Sequence, residues 1–117
     1  MASPGSATRA DVLVARRRLG FGAEGRREHF VVVQSDRLAG IETVVVAPLD
    51  DDAPMYKDNP LSVRVPAREA GTSGPQVVLA HLVTSALLEK FEAAPSGRLS
   101  ARSMQSVDAV LRTVLDL

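Results

Sequence analysis

Short β-branched runs joined by connections too short to hold a helix fill most of this chain, and only its last part changes period. His29–Gln34 (His-Phe-Val-Val-Val-Gln) and Thr43–Ala47 (Thr-Val-Val-Val-Ala) are continuous β-branched stretches that read as buried strands. Ser35-Asp36 ends the first and Pro48 stops the second. Asp11–Arg16, Leu61–Val65 and Gln76–Ala80 supply three more strands, and the alternation Leu-Ser-Val-Arg-Val gives Leu61–Val65 one wet face. Parallel strands need crossovers of about a dozen residues or more, which these connections do not offer, so the sheet is expected to be mainly antiparallel and curled. Thr84–Phe91 is expected to form a short helix, broken by Ala94-Pro95-Ser96-Gly97. From Ser100 to Leu115 the apolar positions Met104, Val107, Val110, Leu111, Val114 and Leu115 make one helical stripe, with Ser100 placed to cap it. The predicted architecture is α+β but mostly β: a small SH3-like barrel or curled antiparallel sheet of about five strands with a C-terminal helix. Residues 1–8 are expected to be a disordered tail and residues 9–117 a single domain.

The 14 basic and 14 acidic side chains cancel, so total charge points to no partner. Their distribution is less neutral. Seven of the twelve arginines lie between Arg9 and Arg37, whereas the first forty residues hold four acids, so one face can still be basic. Arg16, Arg17, Arg18, Arg26 and Arg27 surround Gly20, Gly22 and Gly25 in what reads as a flexible basic loop. Five guanidinium groups of this kind suit the backbone of a single-stranded nucleic acid. Base stacking would fall to Phe21, Tyr56 or arginine planes, because the chain has no tryptophan. Gly20-x-Gly22-x-x-Gly25 has a dinucleotide-site spacing, but no helix follows it. Asp50-Asp51-Asp52 opens a polar loop running to Pro60 and either faces solvent or pairs with the arginines.

There is no cysteine, which excludes disulfides and thiolate metal sites and suits a reducing cytosol. Two histidines leave little scope for zinc, and neither a metal nor another cofactor is expected. Met1–Thr8 lacks the apolar core of a signal peptide, and no apolar run approaches the roughly 20 residues of a membrane helix, so a cytoplasmic chain with no membrane partner is expected. No Gly-x-Ser-x-Gly elbow accompanies His81, which reads as a structural histidine at a strand end.

Phe30-Val-Val-Val-Gln-Ser-Asp36 followed by Thr43-Val-Val-Val-Ala-Pro-Leu49 resembles the second and third strands of the MazF/PemK–CcdB superfamily of toxins. Arg9-Ala10-Asp11-Val12 is similar to the Arg-Gly-Asp opening of MazF, and Gly22-Ala-Glu24-Gly25-Arg26-Arg27 to its Gly-Ser-Glu loop. Gly97-Arg-Leu-Ser100 with Met104, Val107-Asp108 and Leu111 resembles the start of its C-terminal helix. The resemblance implies a homodimer and a cognate antitoxin whose disordered tail covers the toxin. It also implies metal-independent cleavage of single-stranded RNA by attack of a 2′-hydroxyl on the adjacent phosphate, which needs a base, an acid and positive charge. The family uses an arginine just before the second strand and a threonine just after the third. Here the Arg-Pro dipeptide falls on Glu28-His29 and the threonine on Asp50. The expected catalytic set is therefore Arg27, Glu28 and Asp50, with Arg16, Arg17, Arg18, Arg26 and His29 on the RNA. His29 has an intrinsic pKa suited to proton transfer. The alternatives are a non-catalytic toxin of the CcdB type, which disables DNA gyrase or another target by protein contact, or a degenerate family member; this chain ends Val114-Leu-Asp-Leu117 without the Trp-Gly-Ile of the CcdB branch.

Overall fold

A computed structural model describes residues 7–21, 25–38 and 40–117. The expected tail at residues 1–8 lies almost wholly outside the described residues, as do Gly22 and Glu24 of the resemblance. The described strands are β1 (Asp11–Val14), β2 (His29–Val32), β3 (Thr43–Asp51), β4 (Ser62–Val65), β5 (Gln76–Leu79), β6 (Thr84–Leu87) and β7 (Gly97–Arg98). Helix α1 (Ala67–Ala70) lies between β4 and β5, and α2 (Ala101–Leu115) closes the chain. The order is β4-β5-β3-β2-β1-β7, with β6 also on β3, and every recorded pairing is antiparallel. The curled antiparallel sheet with a C-terminal helix is thus as expected, with seven strands in place of about five.

The uninterrupted valine runs follow from a sheet covered on both faces. Val12, Val31, Val33, Ala47 and Leu49 enter one core, where Met104 and Val107 of α2 pack with Val63, Val65 and Val78. The alternate residues Leu13, Phe30, Val32, Val44 and Val46 enter a second core, closed by Leu88 and Phe91. Phe30 meets Phe91 edge-on at 5.7 Å between ring centroids. With both faces apolar, no polar alternation survives in the sequence of β2 or the first half of β3.

Two expectations are corrected. Thr84–Phe91 is not a helix: Thr84–Leu87 pairs with Val46–Thr43 of β3, and only Leu88–Lys90 makes a turn of 3₁₀ helix. An open edge on β3 outweighs a weak local helical pattern. Pro48 does not stop β3, which runs on to Asp51. Val33 N donates to Val45 O at 3.1 Å and Ala47 is registered with Val31, so Val45 and Ala47 face β2 and the Pro48 nitrogen is turned to the opposite edge. There the partner of β3 changes from β6, whose pairing ends at Val46, to β5, whose pairing begins at Leu49. The missing N–H of proline falls in that gap and costs no ladder bond. Asp50 and Asp51 therefore stand on a strand and not in a loop.

Ser100 caps α2 as expected, its hydroxyl accepting from Ser103 N at 3.1 Å. Glu69 of α1 reinforces the same end, accepting from Ser100 N at 2.9 Å and Ser103 Oγ at 2.7 Å. Burial opposes its charge, yet these hydrogen bonds hold its carboxyl below the usual range. Arg9 ties α2 to the end of β2 by donating to Val33 O and pairing with Asp108. Gly71 follows α1 with φ +72°, and a Cβ there would lie 1.8 Å from Ser96 O, so only glycine fits this junction beside the site.

Candidate nucleic-acid interface

The segment before β2 reverses at Gly25 (φ +81°) and delivers Arg26, Arg27 and Glu28 to the end of the sheet where β3 and β5 meet. A cleft of about 390 Å³ opens there, walled by Arg26, Arg27, His29, Asp51, Gln76 and the Gly71–Ser73 turn. Beside it lies a smaller recess of about 190 Å³, ringed by Arg16, Arg17, Arg18, Arg26 and Arg27 with Glu28. Arg26 and Arg27 belong to both walls. The five arginines singled out in the sequence thus converge, and one of them reaches the end of β3.

Arg26 is the hub. Its Nη2 donates to Gln76 Oε1 at 2.7 Å and to Asp51 Oδ1 at 3.3 Å, its Nη1 to Leu49 O at 3.4 Å, and its Nε lies 3.5 Å from Asp50 Oδ1. Gln76 is buried and passes its amide on to Asp51 Oδ1 at 2.9 Å. Bonds from Gln76 and Arg26 hold the Asp51 carboxyl below its usual range. Asp50 accepts from Tyr56 Oη at 2.6 Å, which raises the phenol to about 12. The result is a plate of Tyr56, Asp50, Arg26, Gln76 and Asp51 with fixed partners, charged at one guanidinium and two carboxylates.

Arg27 is 64% exposed in its side chain and pairs with Glu92, a partner at the surface. His29 opens β2 on the cleft wall, and its Nδ1 is buried without a hydrogen-bond partner among the described residues. Burial lowers its pKa, and the Arg26 and Arg27 charges add to this against a backbone hydrogen bond at Arg27, which favours the neutral imidazole.

Glu28 is 2% exposed, and its two oxygens accept from Leu19 N and Phe21 N. It braces the basic loop and does not line the cleft. Phe21 and Tyr56 are not free stacking platforms either. Phe21 sits edge-on to Phe30 at 5.5 Å, and Tyr56 packs with Val77 and Leu79. Of the three expected catalytic residues, then, Arg27 alone walls the cleft, while Asp50 sits behind Arg26. Asp51 pairs with Arg26, one of the two readings given to the acidic run, whereas Gln76 was missed; the polar residue opening the apolar run Gln76–Ala80 was the signal available for it. A larger groove of about 710 Å³ between Arg9, Arg98 and α2 has both of its arginines paired, Arg9 with Asp108 and Arg98 with Asp11.

The curled antiparallel sheet with one terminal helix is the fold of solved MazF toxins. A mycobacterial endoribonuclease solved with its cognate antitoxin superposes with a TM-score of 0.71 at 18% identity, covering 95% of this chain and 96% of that one. MazF from Deinococcus radiodurans gives 0.69 at 20% identity with both chains fully covered, and the Mycobacterium tuberculosis toxin MazF-mt6 gives 0.70 at 16% over 92% and 97%. No curated protein sequence matches the chain. Residues 8–115 match the family of PemK-like, MazF-like toxins of type II toxin–antitoxin systems, and the chain belongs to that family. The comparisons lend nothing to the CcdB alternative.

Proposed function

We propose that the chain is the toxin arm of a type II toxin–antitoxin pair and cleaves single-stranded RNA in the cleft of Arg26, Arg27, His29 and Asp51. The observation that carries this reading is the imidazole of His29 standing on the same wall as the exposed guanidinium of Arg27. His29 takes the proton from the 2′-hydroxyl as O2′ bonds to phosphorus, and returns it to O5′ as the P–O5′ bond breaks. The products are a 2′,3′-cyclic phosphate and a 5′-hydroxyl. Arg27 holds the non-bridging oxygens, leaving Glu92 to do so; an exposed ion pair of that kind is worth only about 0–1 kcal/mol, so a phosphate exchanges for it readily. Asp50 and Arg26 orient the cleft floor, and Glu28 acts through the loop it braces.

The same reading gives the chain a cognate antitoxin that covers the cleft, a homodimeric state and a place in the cytoplasm. The mycobacterial structure with its antitoxin supports the first. No helix among the described residues is long and apolar enough to cross a membrane. The test is incubation of the purified chain with a long single-stranded RNA in EDTA. Discrete fragments ending in cyclic phosphate, lost about 10²–10⁴-fold in His29→Ala, are expected. RNA left intact at a large excess of protein overturns the catalytic assignment.

A further inference from the structure

We propose that Glu92 is an autoinhibitory carboxylate: it holds the Arg27 guanidinium in the resting protein and competes with the substrate phosphate for it, so that removing Glu92 makes the protein bind RNA more tightly. The proposal rests on the RNA reading above and adds the group that opposes substrate binding.

Three observations carry it. First, Arg27 Nη2 and Glu92 Oε1 meet although the two residues lie 65 positions apart, so the fold itself brings this carboxylate to the cleft arginine. A carboxylate offers a guanidinium charged acceptor oxygens of the kind that a phosphate offers, and the two therefore compete for it. Second, the carboxylate stands on a rigid mount. Phe91 is fully buried against Phe30, Ala15 bridges to Phe91, and Glu92 N donates to Val14 O at 2.8 Å. Arg16 completes the mount, its N donating to Lys90 O and its Nε to Phe91 O, each at 2.9 Å. Arg16 is thereby engaged in holding Lys90–Glu92 to the end of β1. The described cleft wall includes Arg27 and not Glu92, so Glu92 draws the guanidinium toward a point beside the wall. Third, the pair can open at small cost. Arg26 is committed to Leu49, Asp50, Asp51 and Gln76, whereas the Arg27 side chain is 64% exposed. When a phosphate takes Arg27, the Glu92 side chain, 29% exposed, is left in contact with water and is not stranded as a buried charge. The contact is thus a latch that substrate displaces, not a lock.

The test measures binding without chemistry. A short 2′-O-methyl RNA strand, which lacks the attacking hydroxyl, is titrated by fluorescence anisotropy into the wild-type chain, Glu92→Gln, Arg27→Ala and the double variant. The bond from Glu92 N to Val14 O is made by the main chain, so Glu92→Gln leaves the mount in place. Glu92→Gln is expected to bind the strand about two- to fivefold more tightly than wild type, the worth of an exposed ion pair. Its salt dependence should steepen by up to about 0.7 in log–log slope, because Arg27 then meets the strand with its charge uncompensated. Arg27→Ala should bind more weakly, and adding Glu92→Gln to it should change nothing further, since the latch has lost its arginine. An equal gain from Glu92→Gln with and without Arg27 reports a general loss of negative charge and overturns the latch. On cleavable RNA well below saturation, Glu92→Gln should cut faster than wild type by the same factor as it binds. If wild type binds the strand and Glu92→Gln binds no tighter, this proposal fails and the cleft reading stands. If no variant binds the strand, both fail.

Discussion

Tyr56 donates its phenolic hydrogen to Asp50 Oδ2 across 2.6 Å, from a ring packed against Val77 and Leu79. Asp50 passes the restraint to Arg26, so the guanidinium at the cleft floor is anchored through a tyrosine that does not itself line the cleft. Tyr56 is the one tyrosine of the chain, so ultraviolet titration reads it alone. A midpoint at about 12 is expected, falling toward 10 in Asp50→Asn. Tyr56→Phe leaves a carboxylate oxygen without its donor and should cost about 1–2 kcal/mol in denaturant melts.

His29 supplies the pH dependence. Its folded pKa lies below 6.5 because burial and two guanidinium charges penalise the cation. The unfolded chain therefore binds this proton more readily than the folded one. The contribution to stability is complete above about pH 6.5 and is lost as pH falls toward the folded value. Nuclear magnetic resonance of the ring protons should place the His29 midpoint below 6.5. Cleavage should keep its basic form to the same lower pH.

Glu28 is expected to control loop order. Replacing it with alanine removes the acceptors for Leu19 N and Phe21 N, at a cost of about 1–3 kcal/mol. Trypsin should then cut after Arg16, Arg17 or Arg18 much faster than in the wild-type chain, well before global unfolding. Unchanged proteolysis would show that Phe21 packing alone holds the loop.

Ala10 has φ +81° and is buried, a conformation that crowds its Cβ. The resembling MazF motif carries glycine here, as Arg-Gly-Asp. Ala10→Gly should raise stability by about 1 kcal/mol, a few degrees in melting temperature, without touching the cleft. A lower melting temperature would mean that the unfolded-state entropy of glycine outweighs the strain relieved.

Much of the architecture was legible because its causes are local. Valine runs without alternation, short connections and the stripe from Met104 to Leu115 each depend on a few neighbouring residues. So does the Ser100 cap, found where the hydroxyl pattern put it. The basic loop was equally visible as composition, but not its role for each arginine.

The rest belongs to the tertiary structure, because hydrogen-bond ladders and charge pairs join residues far apart in the chain. Thr84–Leu87 became a strand only because the Thr43–Val46 stretch of β3, far earlier in the chain, offered an open edge. Pro48 stayed inside β3 only because two partners meet at its silent nitrogen. Glu28 turned inward to two backbone amides, and Arg26 found Asp50, Asp51 and Gln76 only after β3 and β5 had paired. Sequence by itself determined the family, the antiparallel β architecture and a cluster of arginines; folding alone decided which of those charges are spent on structure and which remain to meet a phosphate.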